Sequence, residues 1–125
     1  MNMKIKIKSG NIFVEAKLNN TKTADAIYKA LLIEGIVSLW GDEIYFSIPI
    51  ILDLEKDAKE IVEKGDLGYW PSGNAFCIFF GPTPVSKENK IRPASKVNVF
   101  GQIISDIKVL KNITAGSKIK VFILK

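Results

Sequence analysis

The segment at residues 74–81, NAFCIFFG, carries apolar side chains on both faces of any strand that it forms. Successive side chains of a strand point to opposite sides. One face would therefore carry Ala75, Cys77 and Phe79, and the other Phe76, Ile78 and Phe80. A strand that is apolar on both faces needs cover on both sides. The pattern fits the wall of a barrel that is filled inside and covered outside by a helix or a loop.

Short alternating segments bounded by turn residues make up much of the remaining chain and predict further strands. These strands fall at residues 3–8, 12–18, 36–40, 43–50, 60–63, 96–104 and 118–124. The pair Gly41-Asp42 predicts a tight turn between the strands at 36–40 and 43–50. Residues 52–66 are polar and ambiguous, and we expect a short helical turn there before the strand at 60–63. Residues 82–96 have no period and predict a long loop.

Two segments predict helices. Residues 18–35 form an amphipathic pattern that Thr21 or Thr23 can cap and that Gly35 is expected to end. The apolar stripe of this helix consists of Ala26, Ile27, Ala30 and Leu31. Residues 105–113 predict a second, short helix. Eight strands, two short helices and no regular alternation of strand and helix predict a mainly β chain, a closed antiparallel barrel or a sandwich, in one domain over residues 1–125.

The residue types that are missing exclude several kinds of active site. The chain has no histidine, one cysteine and one arginine, Arg92. The lack of histidine excludes Ser-His-Asp triads, Cys-His pairs and ordinary histidine-based zinc sites. The single cysteine excludes an internal disulfide and a four-thiolate zinc site. We expect no metal site and predict no cofactor.

Composition and the first residues indicate a cytoplasmic protein that does not enter membranes. Apolar residues make up 47% and charged residues 25% of the 125 residues, as in soluble globular proteins. No apolar run approaches the ~20 residues of a membrane helix. The start, MNMKIKIKSG, lacks the continuous apolar region of a secretory signal. The abundance of Ile, Lys and Glu is also typical of thermophiles.

The net charge of +5 raises the question of nucleic-acid binding. Much of this charge lies in two alternating segments, residues 4–8 and 118–125, whose lysines would share one face of each strand. Neighbouring strands would merge these lysines into a basic stripe. The alternative is a solvated outer face whose lysines prevent edge-to-edge pairing. We do not expect nucleic-acid binding, because no aromatic residues interleave with the lysines as single-strand binding would prefer.

Three segments resemble cyclophilins. Residues 7–35 are similar to the opening strands and helix of that family, GNAFCIFFGPTP to its central strand and following turn, and VNVFGQIISDIKVLKNITAG to its closing strand and helix. The likeness is greater to small prokaryotic cyclophilin-like proteins, which this chain resembles in the segments WGDEIYF and GDLGYWPSGNAFCIFFGPTP. The resemblance implies an eight-stranded antiparallel barrel capped by two helices. It implies no activity from the small prokaryotic group.

The resemblance to true cyclophilins would imply prolyl isomerisation, in which an arginine stabilises the twisted amide. IYFSIP is similar to the strand of that family that carries its histidine and arginine. Anchored on Pro49, the arginine falls on Phe46 and the histidine on Tyr45. The groove methionine and the first groove glutamine fall on Ile61 and Glu63, and a second glutamine and the pocket phenylalanine on Ala75 and Cys77. We therefore do not expect ordinary isomerase activity. A weak or atypical isomerase that uses Arg92 or backbone amides is an alternative.

The groove of the family lies on the outer face of the barrel, beside the central strand. In this chain the resemblance places there Tyr69, Trp70, Pro71, Phe76 or Cys77, and Thr83, with Arg92 and Glu63 at the edges. Our hypothesis is that Trp70 and Tyr69 stack on a ligand and that Arg92 pairs with an anionic group. Alternatively, Trp70-Pro71 packs against the end of the barrel and Arg92 stands in solvent. The position of residues 85–96 decides between them.

The turn Trp40-Gly41-Asp42-Glu43 is a second candidate site. A carboxylate beside a tryptophan has a raised pKa if it is buried and could then act as an acid or base. Carboxylates at hairpin turns are more often solvated. Asp66 is expected to cap a turn, and Cys77 to lie in the core.

The predicted function is the binding of a small-molecule or peptide-like ligand in a remodelled groove. The alternatives are the weak or atypical isomerase and a homodimeric interaction protein. In the homodimer, an apolar patch around Tyr69 and Trp70 would meet its copy.

Overall fold

The computed structural model of the chain describes residues 3–125. Met1 and Asn2 lie outside the described residues, although the predicted domain (residues 1–125) and the segment MNMKIKIKSG include them. Within residues 3–125 the chain forms one antiparallel sheet of nine strands. The strands are β1 (Lys4–Ser9), β2 (Ile12–Leu18), β3 (Ile33–Ile36), β4 (Ser38–Leu39), β5 (Glu43–Ser47), β6 (Asp66–Trp70), β7 (Ala75–Phe79), β8 (Asn98–Ile103) and β9 (Lys118–Ile123). One α-helix, α1 (Lys22–Ala30), and two 3-10 helices, Pro71–Gly73 and Ile107–Asn112, complete the described elements.

The sheet curls into a nearly closed barrel with the strand order β3-β9-β1-β2-β8-β6-β7-β5-β4. Its two edges, β3 and β4, are consecutive in sequence and are separated only by the buried Val37. Gly35 of β3 also faces the ring of Phe46 of β5, and a Cβ at Gly35 would lie 2.8 Å from that ring. Chain continuity, together with side-chain packing between β3 and β5, therefore brings the two edges of the nearly closed barrel together. The prediction of a mainly β antiparallel barrel is confirmed.

The number of strands is nine instead of the predicted eight. Residues 33–36, predicted as the end of a helix, form β3 because their backbone pairs with β9 from Ile33↔Val121 to Ile36↔Lys118. Residues 66–70, rich in turn formers, form β6 between β7 and β8. Residues 60–63, predicted as a strand, make only an isolated bridge at Val62. The secondary structure of these three segments therefore depends on backbone pairing partners that lie far away in the sequence.

The two predicted helices are shorter than expected. Thr21 caps α1 by accepting a hydrogen bond from the amide of Ala24 at 3.1 Å, as predicted, but the helix ends at Ala30 and Gly35 lies in β3. The buried face of α1 consists of Thr23, Ala24 and Ile27, while Ala30 is exposed. The second helix is the 3-10 helix at Ile107–Asn112. Residues 52–66 contain a turn at 56–57 and no helix.

Aromatic and branched side chains fill the interior of the barrel. Phe46 of β5 stacks on Phe76 of β7 with ring centroids 4.9 Å apart, and Phe76 meets Phe100 of β8 edge to face at 5.0 Å. The alternation predicted for the central strand is confirmed. Phe76 and Ile78 join this interior core, whereas Ala75, Cys77 and Phe79 belong to a second apolar cluster on the outer face.

The described residues contain neither a helix long and apolar enough to cross a membrane nor a group of three or more acidic or cysteine side chains placed to hold a metal ion.

Candidate functional site

The outer faces of β5, β6, β7 and β8 form an apolar surface that the chain covers with its own loops. Ala75, Cys77, Phe79 and Val97 are buried in this outer cluster. Gly68 of β6 makes the packing possible, because a Cβ there would lie 2.9 Å from Val97 and 3.1 Å from Phe79. The sequence of β7 is apolar on both faces because one face packs in the barrel interior and the other packs in this outer cluster.

Two long segments, residues 48–65 and 80–97, make this cover. They pair with each other through isolated bridges between Lys59 and Val97 and between Val62 and Ile91. The amide of Lys59 donates to the carbonyl oxygen of Val97 at 2.8 Å, and the amide of Val97 donates back to Lys59 at 3.1 Å. The loop at 85–96 therefore lies across the outer face of the barrel, held by backbone hydrogen bonds.

Thr83 and Ser86 hold the base of that loop. The amide of Thr83 donates to the Ser86 hydroxyl at 2.9 Å, and the amide of Arg92 donates to the same oxygen at 3.0 Å. The Thr83 hydroxyl donates to the carbonyl oxygen of Arg92. Thr83 is buried, so its described contacts position the loop.

A cleft of about 280 Å³ remains between this cover and the strands. Its lining residues are Trp40, Glu43, Tyr45, Trp70, Pro93, Ala94 and Val97. Trp40 precedes the two-residue Gly41-Asp42 turn, which the structure confirms: the amides and carbonyls of Trp40 and Glu43 bond each other at 2.9 and 3.2 Å. The cleft therefore collects side chains from the β4–β5 hairpin, the end of β6 and the covering loop.

The indole of Trp70 is fixed at the cleft by the covering loop. Its Nε1–H donates to the Ser95 hydroxyl at 2.7 Å. Trp70 also packs against the outer apolar cluster and remains partly exposed. A ring held by a hydrogen bond at one edge and packing behind it is preorganised to present its remaining surface to a ligand.

Among the described residues, Glu43 is the only carboxyl group that lines the cleft, and it is 6% exposed. Burial raises the pKa of Glu43 to about 7, although a hydrogen bond with the Cys77 thiol lowers it in part. In the part of the chain that the structure describes, Glu43 has no ion pair. Desolvation without a compensating cation is the cause of the shift.

Cys77 lies beneath this site on β7, opposite Tyr45 of β5. Burial, and next the nearby charge of Glu43, raise the pKa of the Cys77 thiol well above its ordinary value. The thiol therefore stays protonated at neutral pH and is a poor nucleophile. Cys77 is a core residue, as the sequence predicts.

The structure separates the six residues predicted to form the groove. Trp70 lines the cleft. Tyr69 and Phe76 are fully buried in the barrel interior. The Tyr69 hydroxyl donates to the carbonyl oxygen of Ile50 at 2.7 Å and accepts from the amide of Leu52 at 3.1 Å, so it anchors the start of the covering segment.

Glu63 and Arg92 lie outside the cleft. Glu63 borders an open depression beside Lys64 and residues 86–91. Arg92 lines a separate depression with Lys87, Lys96 and Glu60, and its Nε is buried without a hydrogen-bond partner among the described residues. The predicted pairing of Arg92 with a ligand beside Trp70 is not set up in this arrangement. Ligand binding by Tyr69, Phe76, Thr83, Glu63 and Arg92 remains a prediction without support from their positions.

The second sequence candidate merges with the first. Trp40 and Glu43 of the hairpin lie at the same cleft as Trp70, although Trp70 follows Glu43 by 27 positions in the sequence. Glu43 is buried, so the alternative of a solvated turn carboxylate does not describe it. Sequence reasoning missed Tyr45, Pro93, Ala94 and Val97. The alternation of β5 could have indicated Tyr45, because residues two positions apart in a strand share a face and Tyr45 follows Glu43 by two positions.

Asp66 has the structural role that the sequence predicts. Its carboxylate accepts from the amide of Glu63 at 2.8 Å and from the side-chain amide of Gln102 at 3.1 Å. Burial nevertheless raises the pKa of Asp66, more than these hydrogen bonds lower it.

The positions aligned with the isomerase residues give the cleft no positive charge. Phe46, the position of the arginine, points into the barrel and is 1% exposed. Tyr45, the position of the histidine, lines the cleft instead. The lining of the cleft includes no lysine or arginine among the described residues.

A nearly closed antiparallel barrel with a cleft on its outer face, beside the central strand, defines a cyclophilin-like protein. The family model described as Cyclophilin-like matches residues 3–122, and the chain therefore belongs to the cyclophilin-like family. Among curated proteins, no sequence matches this chain.

Two of the solved structures that match this chain share its fold over 94% or more of its length. The solution structure of the hypothetical protein AF2241 from Archaeoglobus fulgidus is 40% identical, with a TM-score of 0.82 over 97% of this chain and 94% of that one. The structure of McbB in complex with tryptophan is 16% identical, with a TM-score of 0.71 over 94% of this chain and 44% of McbB. The second likeness concerns the fold alone.

Proposed function

We propose that this protein binds a small-molecule or peptide-like ligand in the cleft between Trp40, Glu43, Tyr45 and Trp70. The observation that carries the proposal is a preformed cleft with aromatic walls and one buried carboxyl group. Ligand sites combine apolar walls with a few polar groups that fix the orientation of the ligand. McbB, a protein of the same fold, has been solved in complex with tryptophan, which supports a binding role for such a barrel.

Prolyl isomerisation is not part of this proposal. An isomerase of the cyclophilin type needs a cation aimed at the amide, and the cleft walls carry a carboxyl group instead. Exchange NMR on a short Ala-Pro peptide would test the alternative directly. Acceleration by the protein that is lost in Arg92→Ala would favour the isomerase over the proposal.

The chain provides a built-in reporter for the cleft, because both of its tryptophans line it. The two indole N–H signals in a proton–nitrogen NMR spectrum, assigned with Trp40→Phe, therefore both report on cleft occupancy. We expect at least one member of a panel of metabolites and short peptides to shift these signals and to raise the melting temperature.

A matched pair of variants tests whether that ligand occupies the cleft. Trp70→Ala should weaken binding by about tenfold or more, because aromatic contacts dominate such sites. Phe13→Ala, on the opposite side of the barrel, should leave the affinity unchanged. Binding that leaves both indole signals in place, or that survives Trp70→Ala, would contradict the proposed site.

A further inference from the structure

The charge of the cleft differs in sign from the charge of the protein. The whole chain carries a net charge of +5, yet the described residues that line the cleft include one acidic residue and no basic residue. The remaining lining residues are aromatic or aliphatic. A ligand that enters this cleft meets a single carboxyl group and three aromatic rings.

We propose that the ligand is an organic ammonium ion, an amine carried on a compact apolar or aromatic body, held between Glu43 and the rings of Trp40, Tyr45 and Trp70. The inference rests on the proposed function and adds the chemical class of the ligand. The faces of tryptophan and tyrosine rings attract cations, most strongly where the cation loses its water. The carboxylate of Glu43 supplies the opposite charge.

The state of Glu43 without a ligand supports this choice. A buried carboxylate without a cation is costly, and the chain leaves Glu43 without an ion pair in its described part. The raised pKa, about 7, expresses that cost. A bound ammonium ion would remove it, whereas an anionic ligand would add to it.

Among the described lining residues, Glu43 is the group whose charge is expected to change with pH near neutrality. Cys77 of β7 lies beside it with a pKa raised well above the ordinary range, so the thiol stays neutral. Tyr45 shares the outer face of β5 with Glu43. The covering segment at residues 80–97 contributes three uncharged residues to the described lining, namely Pro93, Ala94 and Val97. Affinity for an ammonium ion should therefore increase as the pH rises through about 7.

The size of the cleft limits the ligand. A volume of about 280 Å³ lies just below the range of ligand pockets, which runs from about 300 to 1,000 Å³. A single-ring amine, or the amine-bearing side chain of a peptide, matches this volume better than a dinucleotide or a long peptide would.

Three probes of nearly equal shape test the inference: phenethylamine, 2-phenylethanol and 3-phenylpropionate, which are cationic, neutral and anionic at pH 8. Each is titrated against the full chain while the two indole N–H signals are followed. We expect the amine to bind at least about tenfold more tightly than the alcohol, and the acid most weakly. At pH 5.5, where Glu43 is mostly protonated, the preference for the amine should largely disappear.

Glu43→Gln is the decisive variant, because glutamine keeps the shape of the side chain and removes its charge. It should weaken binding of phenethylamine by about tenfold while binding of 2-phenylethanol changes by less than about threefold. Glu34→Gln replaces an exposed glutamate that lies opposite Lys120 in the β3–β9 ladder and outside the cleft lining; it is the control and should change none of these affinities.

Three results would overturn the inference. If the alcohol or the acid shifts the indole signals at concentrations where the amine does not, the ligand class is wrong and the proposed function stands. If Glu43→Gln keeps the full preference for the amine, the carboxylate does not select the ligand. If none of the three probes shifts the indole signals, the inference fails, and the broader panel decides separately whether the proposed function fails with it.

Discussion

The two outer faces of the barrel follow the same strand geometry but have opposite relations to solvent. The covered face, formed by β5, β6, β7 and β8, buries Cys77 and Phe79 beneath the segments at 48–65 and 80–97. The open face, formed by β1, β2, β3 and β9, exposes Lys8 and Lys120, which lie opposite each other in the ladder. The strands of the covered face thus separate two apolar cores, whereas the strands of the open face separate the interior core from water.

The difference shows how a small barrel acquires a site. On the open face, charged side chains lie at the surface, and some lysines lie opposite acidic residues, as in the cross-strand pairs Lys6↔Glu15 and Glu34↔Lys120. The lysines of β1 and β9 lie on neighbouring strands, and acidic residues on the flanking strands β2 and β3 border them. On the covered face the loops exclude water, so Glu43 is desolvated and its pKa rises to about 7. The cover therefore creates both the cleft and its unusual carboxyl group.

The largest difference between the faces should appear when a phenylalanine is truncated on each. Phe79→Ala removes a fully buried ring from the covered face and should lower the free energy of unfolding by about 3–5 kcal/mol. Phe13→Ala removes a ring that is 49% exposed on the open face, over the Lys6 ammonium, and should cost less than about 1 kcal/mol. Urea denaturation measures both. Equal losses would show that the covering loops do not form an external core in solution.

The second prediction concerns the pH dependence of stability. The folded pKa of Glu43, about 7, lies above the value of 4.5 for an unperturbed glutamate. The folded state therefore holds a proton that the unfolded state has already lost between these values. Stability should fall as the pH rises from about 4.5 to 7, by an amount on the order of 2–3 kcal/mol, and then level off.

A pair of glutamine variants isolates this contribution. Glu43→Gln should remove most of the fall, so that the variant gains stability relative to the unmodified chain as the pH increases. Glu34→Gln, on the open face, should leave the pH profile as it is. Denaturation curves at half-unit pH steps are the measurement. A profile that Glu43→Gln does not flatten would mean that Glu43 is solvated despite the cover.

The smallest expected effect comes from single hydroxyl hydrogen bonds at the margin of each face. Ser95 accepts from the Trp70 indole at 2.7 Å, and Ser105 accepts from the amide of Glu15 at 2.9 Å. Replacing either serine with alanine should cost about 0.5–1.5 kcal/mol. Only Ser95→Ala should also change the tryptophan fluorescence and speed hydrogen exchange in residues 85–96. If both variants leave that exchange unchanged, the indole does not hold the loop.

The sequence predicted the barrel better than the site. The alternation at 74–81 gave the correct inward and outward faces of β7, and Gly41-Asp42 gave the correct turn. Of the six groove residues, Trp70 alone lines the cleft. Tyr69 lies in the barrel interior because its position in β6, a strand that the sequence did not predict, points it inward. Arg92 lies at a separate depression because its location depends on how residues 82–96 fold back, for which the sequence has no periodic signal.

The sequence by itself determined what is local: the alternation that demands cover on both sides of β7, the turn chemistry, and the lack of histidine that excludes whole classes of catalysis. The tertiary structure alone decided that residues 33–36 and 66–70 are strands, because their hydrogen-bond partners lie far away in the chain. It alone brought Trp40 and Trp70 to one cleft. Desolvation of Glu43 was likewise decided there, since burial is a property of the surroundings that distant segments provide and not of the residue or its neighbours in sequence.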